Sequence, residues 1–306
     1  MNLDYLKNET LKITALCDAA KASGSAVVIT GHDMPDCDSI ISAVMLRELL
    51  ARLGVETVVK FGTRPDGVTE RLVSGLGILD GIGFDGFETD DTLILVDHHV
   101  TFYKNEVIAC IDHHTTPPEP NFALNLVRKA SSCGRIIFDM ALSCGANDDW
   151  LEKMAIFSVY LDTQSCLAPK FEQSDLPWLA EGIARLGIDR EKIEQMGFCL
   201  NSLDEDAEVL GMYAYKRYEF GGKVGASTCI QIDEREDGWQ SKIDAIVEFL
   251  KRKMLSDGAL IWILVVNKPR AVRSDLYFIR ESRVEVVKLD RLASRSKDVV
   301  PVVSAL

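Results

Sequence analysis

Basic residues are in short supply. Lysine and arginine number 34 against 47 aspartates and glutamates, a formal net charge of −13. Such a surface repels nucleic-acid backbone and anionic lipid, which disfavours general nucleic-acid binding. A small anionic substrate stays open, because metal ions and a local basic cluster reverse the field inside a cleft. No apolar stretch approaches the roughly 20 residues that a membrane span needs, so no membrane association is expected. The opening Met1-Asn2-Leu3-Asp4-Tyr5 lacks the basic start and apolar run of a secretory signal. No Cys-x-x-Cys occurs, and the eight cysteines are dispersed. Reduced, mostly buried thiols in a cytoplasmic protein are therefore expected. Internal repeats and low-complexity tracts are lacking. Histidine is scarce too: there are five, all confined to three short stretches.

The first stretch is Val28-Ile29-Thr30-Gly31-His32-Asp33-Met34-Pro35-Asp36-Cys37-Asp38-Ser39-Ile40, an apolar strand, a polar turn and a helix start. The others are Val96-Asp97-His98-His99 and Ile111-Asp112-His113-His114, each closing a β-like run. Side chains at the carboxyl ends of neighbouring parallel strands converge in one crevice, where open α/β sheets place their sites. One metal centre assembled from three strand ends is the economical reading.

At 306 residues the chain is long for a single core, so two domains are expected. Hydrophobic periodicity predicts helices over 3–23, 39–53, 68–74, 135–142, 150–161 and 176–196, the last broken near Gly187-Ile188-Asp189. Strands are expected over 26–30, 55–61, 93–96 and 107–111, with a proline-rich turn over 115–120. The wholly apolar 93–96 suits a parallel sheet buried on both faces. This alternation predicts a doubly wound, mainly parallel α/β domain. Patterning lapses over 198–205. A smaller α/β domain should follow, with strands 224–232, 259–266, 276–280 and 284–288 and a helix 242–255. Residues 293–301 read as a basic turn and short apolar tail. Ser131-Ser132-Cys133-Gly134 opens a helix whose amino end could receive an anion.

Carboxylates and imidazoles without thiolates suit manganese or cobalt better than structural zinc. Two divalent ions are expected, with bridging carboxylates holding them about 3.5–4 Å apart and acidifying the water between them. Four aspartates, Asp36, Asp38, Asp97 and Asp162, would neutralise two such ions. A phosphate-rich substrate would need further positive groups, and Arg295 and Lys297 lie near the chain's end.

The run Gly31-His32-x-x-Pro35-Asp36-x-Asp38-Ser39-Ile40, with Val96-Asp97-His98 and Ile111-Asp112-His113-His114, resembles the DHH phosphoesterase superfamily. Ser294-Arg295-x-Lys297-x-Val299-Val300-Pro301 is similar to the closing motif of its DHHA2 branch, which holds the family II manganese-dependent inorganic pyrophosphatases and the exopolyphosphatases. The Gly-Gly-Gly-His ending of the other branch is missing. The resemblance implies an amino-terminal helical extension (1–25), a metal-binding DHH domain (26–198) and a substrate-binding DHHA2 domain (206–306), with the active site in the cleft between them. It implies that His32 and Asp36 bind one metal, that Asp38 and His113 bind a second, and that Asp97 and Asp162 bridge. Manganese is the preferred ion, with cobalt or magnesium as alternatives. His114 would face the substrate phosphate, Asp112 would orient an imidazole, and Arg295 and Lys297 would reach the phosphates. The implied reaction is hydrolysis of inorganic pyrophosphate, with short polyphosphate or a small nucleotide diester as alternatives, and a homodimer is the family expectation. The chain departs from the pyrophosphatases in three places. Ser296 and the acidic Asp204-Glu205 stand where they carry lysine, and His99 stands where asparagine is usual.

Overall fold

The computed structural model describes residues 3–99, 104–114, 122, 124–281, 283–293 and 295–305. The proline-rich turn expected at 115–120 lies outside the described residues, as does Ser294. The chain divides into two compact units, one comprising residues 1–166 and 170–197, the other 167–169 and 198–306. No helix among the described residues is long and apolar enough to cross a membrane.

The first unit runs α1 (Leu3–Ala22), β1 (Val27–Thr30), α2 (Cys37–Arg52), β2 (Val58–Lys60), α3 (Gly67–Gly75), β3 (Ile82–Gly83), β4 (Thr92–Val96), β5 (Val107–Asp112), β6 (Leu124–Val127), α4 (Cys133–Ser143), α5 (Asp149–Asp162), α6 (Leu176–Arg185) and α7 (Arg190–Gly197). Its six strands form one sheet in the order β3-β2-β1-β4-β5-β6, parallel throughout. Every residue of β1 and β4 is buried, as continuous apolar strands covered on both faces must be. Val28, Leu93, Leu95 and Cys110 pack together across the centre. Helices α2, α4 and α5 pack on one another, and α1 packs against α4. The strand order reverses between β1 and β4, so a crevice opens beyond their carboxyl ends. That is where the histidine-bearing turns leave the sheet.

The second unit runs α8 (Ala207–Gly211), β7 (Lys216–Phe220), β8 (Lys223–Gln231), α9 (Trp239–Ser256), β9 (Ile261–Lys268), β10 (Arg273–Arg280), β11 (Arg283–Leu289) and α10 (Val300–Ser304). Its sheet has the order β11-β10-β9-β8-β7, parallel between β8 and β9 and antiparallel elsewhere. Among the described residues, three strands and the short helix α8 escaped the periodicity. Two of the strands, β3 and β6, are short, and the third is the charged strand β7, which forms by pairing with β8. The closing segment is helical instead of a turn and tail. A π-helical turn (Arg295–Val299) leads into α10, because Val299 and Val303 bury themselves against Ile261, Ile263 and Val265 of β9.

Candidate metal centre

Each turn beyond a strand end presents ligand atoms and occupies the remaining polar atoms locally. Asp36 caps α2, accepting the Ser39 amide at 3.1 Å through Oδ1. Its Oδ2 is left facing His32 Nε2 at 3.7 Å. The other nitrogen of His32, Nδ1, donates to the Asp33 carbonyl at 2.9 Å. His113 repeats the device, with Nδ1 donating to the Ala130 carbonyl at 3.2 Å. Fixing the proton on Nδ1 leaves the Nε2 lone pair free to ligate, as in metal-binding imidazoles.

Asp97 stands between the two histidines. Its Oδ1 is 3.2 Å from His113 Nε2 and its Oδ2 is 3.7 Å from His32 Nε2. Ser39 Oγ donates to the same Oδ2 at 2.6 Å. The Asp97 backbone is left-handed, with φ 54°, a conformation rare outside glycine and concentrated at functional sites. The Asp97 amide donates to the Ile111 carbonyl at 2.9 Å, which ties the β4 turn to β5.

Asp38 is fully buried at the start of α2 and is held by four donors. The Cys133 and Gly134 amides donate at 2.8 and 3.1 Å, Ser158 Oγ at 2.6 Å and Ser42 Oγ at 3.1 Å. The anion expected at the amino end of α4 is therefore the Asp38 carboxylate itself. A Cβ on Gly134 would collide with Ser158, so glycine is what lets the helix end approach. Asp38 Oδ2 lies 3.7 Å from His113 Nε2, and Asp162 Oδ2, at the end of α5, lies 3.5 Å from it.

Two ligand groups carry the metal reading, His32 with Asp36 and Asp97, and Asp38 with His113 and Asp162, the ligand atoms of each within 4.8 Å of one another; a third, Asp97 with Asp112, His113 and His114, overlaps them. Asp97 Oδ1, His113 Nε2 and Asp162 Oδ2 are buried with no hydrogen-bond partner. A buried polar atom left unpaired costs on the order of 1–3 kcal/mol, and here three converge. All can give a lone pair, none is a thiolate, and the surrounding charge is negative, so the set fits divalent cations.

The electrostatics agree. Burial, then the charges of Asp97 and Asp162, push the Asp38 carboxyl up to about 7. Burial works against the charged forms of His113 and His32. Asp97 and Asp162 nevertheless push His113 up to about 10, and Asp36 and Asp97 push His32 up to about 9. Carboxylates that strain against one another and hold imidazoles protonated make a field that a cation relieves.

Asp112 is fully buried and joins two imidazoles. Its Oδ1 meets His114 Nδ1 at 2.7 Å and its Oδ2 meets His99 Nδ1. The paired imidazoles hold its carboxyl well below the usual range against the opposing effect of burial. His114 is 52% exposed, so its ring reaches solvent from a fixed base. His98 is half-buried, and burial pushes it down to about 4.

The crevice thus brings together His32, Asp36, Asp38, Asp97, Asp112, His113, His114 and Asp162. Lys297 is exposed in the second unit, and the side chains of Arg295 and Ser296 lie outside the described residues. Sequence reasoning missed Ser158, the bond of Ser39 to Asp97, and Lys170, whose Nζ is 2.5 Å from Asp162 Oδ1. Ser158 had a signal, being one helical turn before Asp162 on the same face. Lys170 had none, because it follows an aperiodic turn. In the second unit Lys268 is paired with Asp275 and Arg270 with Asp233, and Lys242 Nζ donates to the Glu205 carbonyl at 2.8 Å.

Residues 26–161 match the DHH family, N-terminal domain, as the motifs imply. Over 314 aligned residues the chain is 25% identical to the manganese-dependent inorganic pyrophosphatase of Methanocaldococcus jannaschii, covering 89% of this chain and 96% of that protein. A crystal structure of a putative family II inorganic pyrophosphatase from Methanococcus jannaschii superposes with a TM-score of 0.74 at 20% identity, over 91% of this chain and 98% of that one. An exopolyphosphatase-related protein from Bacteroides fragilis gives 0.51 at 16% identity, over 89% and 84%. The two structural likenesses are likenesses of fold.

Proposed function

We propose that this chain is a metal-dependent phosphoanhydride hydrolase that cleaves inorganic pyrophosphate to phosphate. The observation that carries the reading is the pair of ligand groups meeting at Asp97, with three buried ligand atoms left unpaired. His32, Asp36 and Asp97 would hold one divalent ion, and Asp38, His113 and Asp162 a second. Manganese is favoured by the donor set and by the name of the Methanocaldococcus jannaschii relative. Bound there, two ions would supply Lewis acidity and an acidified water.

Asp97 is the bridging carboxylate of the proposal, since its two oxygens face different histidines. Asp162 is proposed to bridge as well; its Oδ2 faces His113, and its Oδ1 is engaged by Lys170 in this structure. His114 offers its outer nitrogen as a proton donor to the substrate phosphate, and Asp112, braced by His99, holds that ring in place. Arg295 and Lys297 of the second domain are the proposed further phosphate contacts. The protein is proposed to be cytoplasmic, and a homodimer is the oligomer to test by sedimentation.

The experiment is a panel of pyrophosphate, tripolyphosphate, long polyphosphate and dinucleotides, each with manganese, cobalt and magnesium. Pyrophosphate with manganese should be hydrolysed fastest. Faster cleavage of tripolyphosphate would move the substrate to short polyphosphate. Cleavage of dinucleotides alone would overturn the phosphoanhydride reading.

A further inference from the structure

Lys170 stands outside both ligand groups, yet its ammonium is bonded to one of their members. Asp162 divides its carboxylate. Oδ1 takes Lys170, while Oδ2 is buried, unpaired and turned toward His113. The Asp162 side chain is 9% exposed and that of Lys170 is 42% exposed, so the ammonium stands where the buried cluster meets solvent. Its charge is felt at Asp36 as well, which it lowers, and Asp36 and Asp97 in turn help to raise Lys170.

The backbone leading toward it is unusual. Gln164, Ser165 and Cys166 have φ of 50°, 60° and 66°, three left-handed side-chain-bearing residues in succession. Each is held at a cost that the surroundings must meet. The Ser165 amide donates to the Tyr160 carbonyl at 2.8 Å, the Cys166 amide to Thr163 Oγ1 at 3.0 Å, and Ser165 Oγ to the Glu194 carbonyl at 2.5 Å.

Charge decides what the lysine is for. Asp36, Asp38, Asp97 and Asp162 carry four negative charges, which two divalent ions would cancel, and the charge of Asp112 is spent on His99 and His114. Lys170 would then leave the site with a positive excess, and the ligand that suits it is an anion. Three other cations of this unit are committed elsewhere: Arg128 and Arg135 to Asp139, Arg135 also to Asp175, and Lys129 to Glu172. Those carboxylates lie outside the ligand groups, so their pairs would persist. The Asp162 carboxylate would share its charge with a metal, which weakens its hold on the ammonium.

We propose that Lys170 is a phosphate-binding residue of this site, seated beside the ligand groups by Asp162 and turning to a substrate phosphate when Asp162 shares its charge with a cation. The inference rests on the function proposed above. The test uses the full chain as wild type, Lys170→Met and Lys170→Arg. Manganese uptake is measured first, then calorimetric binding of imidodiphosphate to the loaded protein, then steady-state kinetics with pyrophosphate. Manganese stoichiometry should be equal in all three. Lys170→Met should bind imidodiphosphate about 10–100-fold more weakly and raise KM more than it lowers kcat, with Lys170→Arg within a few-fold of wild type. Should Lys170→Met fail to fold, Lys170→Gln takes its place. Unchanged imidodiphosphate binding by the loaded Met variant overturns the proposal. So does loss of manganese with no separate loss of the diphosphate, since that marks a lysine that merely props Asp162. A wild type that takes up manganese but binds no diphosphate overturns the pyrophosphate reading itself, and this inference with it.

Discussion

In the parallel sheet of the first unit, β1, β4 and β5 all point their carboxyl ends at one crevice, and five carboxylates gather there with three ligand atoms unpaired. In the second unit, whose sheet is mainly antiparallel, acid–base pairs close locally. Asp233 is bonded by Arg235 and Arg270, Asp275 by Lys268, and Asp298 by Arg291. Topology accounts for the contrast. Parallel strands deliver equivalent ends to one side, so like charges from distant parts of the chain can be forced together. Antiparallel neighbours alternate direction, so their ends are spread over both sides of the sheet, and Lys268 of β9 pairs with Asp275 of the adjacent β10. The aspartates of the first unit's crevice can therefore serve a cation, while Asp233, Asp275 and Asp298 of the second unit are halves of ion pairs.

The sharpest way to break this comparison is to remove one carboxylate from each unit. Asp97→Asn should lose at least one manganese ion and lower kcat/KM by on the order of 10³-fold, because it removes the proposed bridging charge. Asp233→Asn should leave both unchanged. Metal analysis beside kinetics checks this, and a variant at Asp97 that kept two ions and near-normal turnover would end the bridging assignment.

A finer cut lies inside the first unit. His99→Leu leaves every proposed ligand intact but frees the Asp112 oxygen that it braces. Manganese content should hold while kcat falls roughly 10-fold, the scale of losses from outer groups that orient reacting ones. Loss of metal with rate would mean that His99 supports the ligands and not His114.

The smallest effect is on stability in the second unit. Arg235, with Arg270, pulls the Asp233 carboxyl down to about 2 from the ordinary 3.8. A carboxyl lowered on folding adds stability that is complete above its unfolded value and disappears as the pH falls through its folded value. Asp233→Asn should therefore remove about 1 kcal/mol near neutrality, a modest figure because Arg235 is largely exposed. The difference from wild type should shrink between about pH 4 and pH 2. Thermal melts across that range measure it.

The ligand types, their clustering and the strand ends that carry them were legible in the residues themselves. Continuous apolar runs announce buried parallel strands, and the five histidines occur only at such ends, so His32, Asp97, Asp112, His113 and His114 could be named from position alone. Periodicity is a local property, and it found the helices and the longer strands for that reason. It could not find β3 or β7, whose existence depends on a neighbouring strand's hydrogen bonds. Nor could it say which oxygen of Asp97 faces which histidine, that the amino end of α4 is spent on Asp38, or that Lys170 comes back to Asp162 after three left-handed residues. Those are distances between groups far apart in the chain or across an aperiodic turn, and only the packed fold sets them.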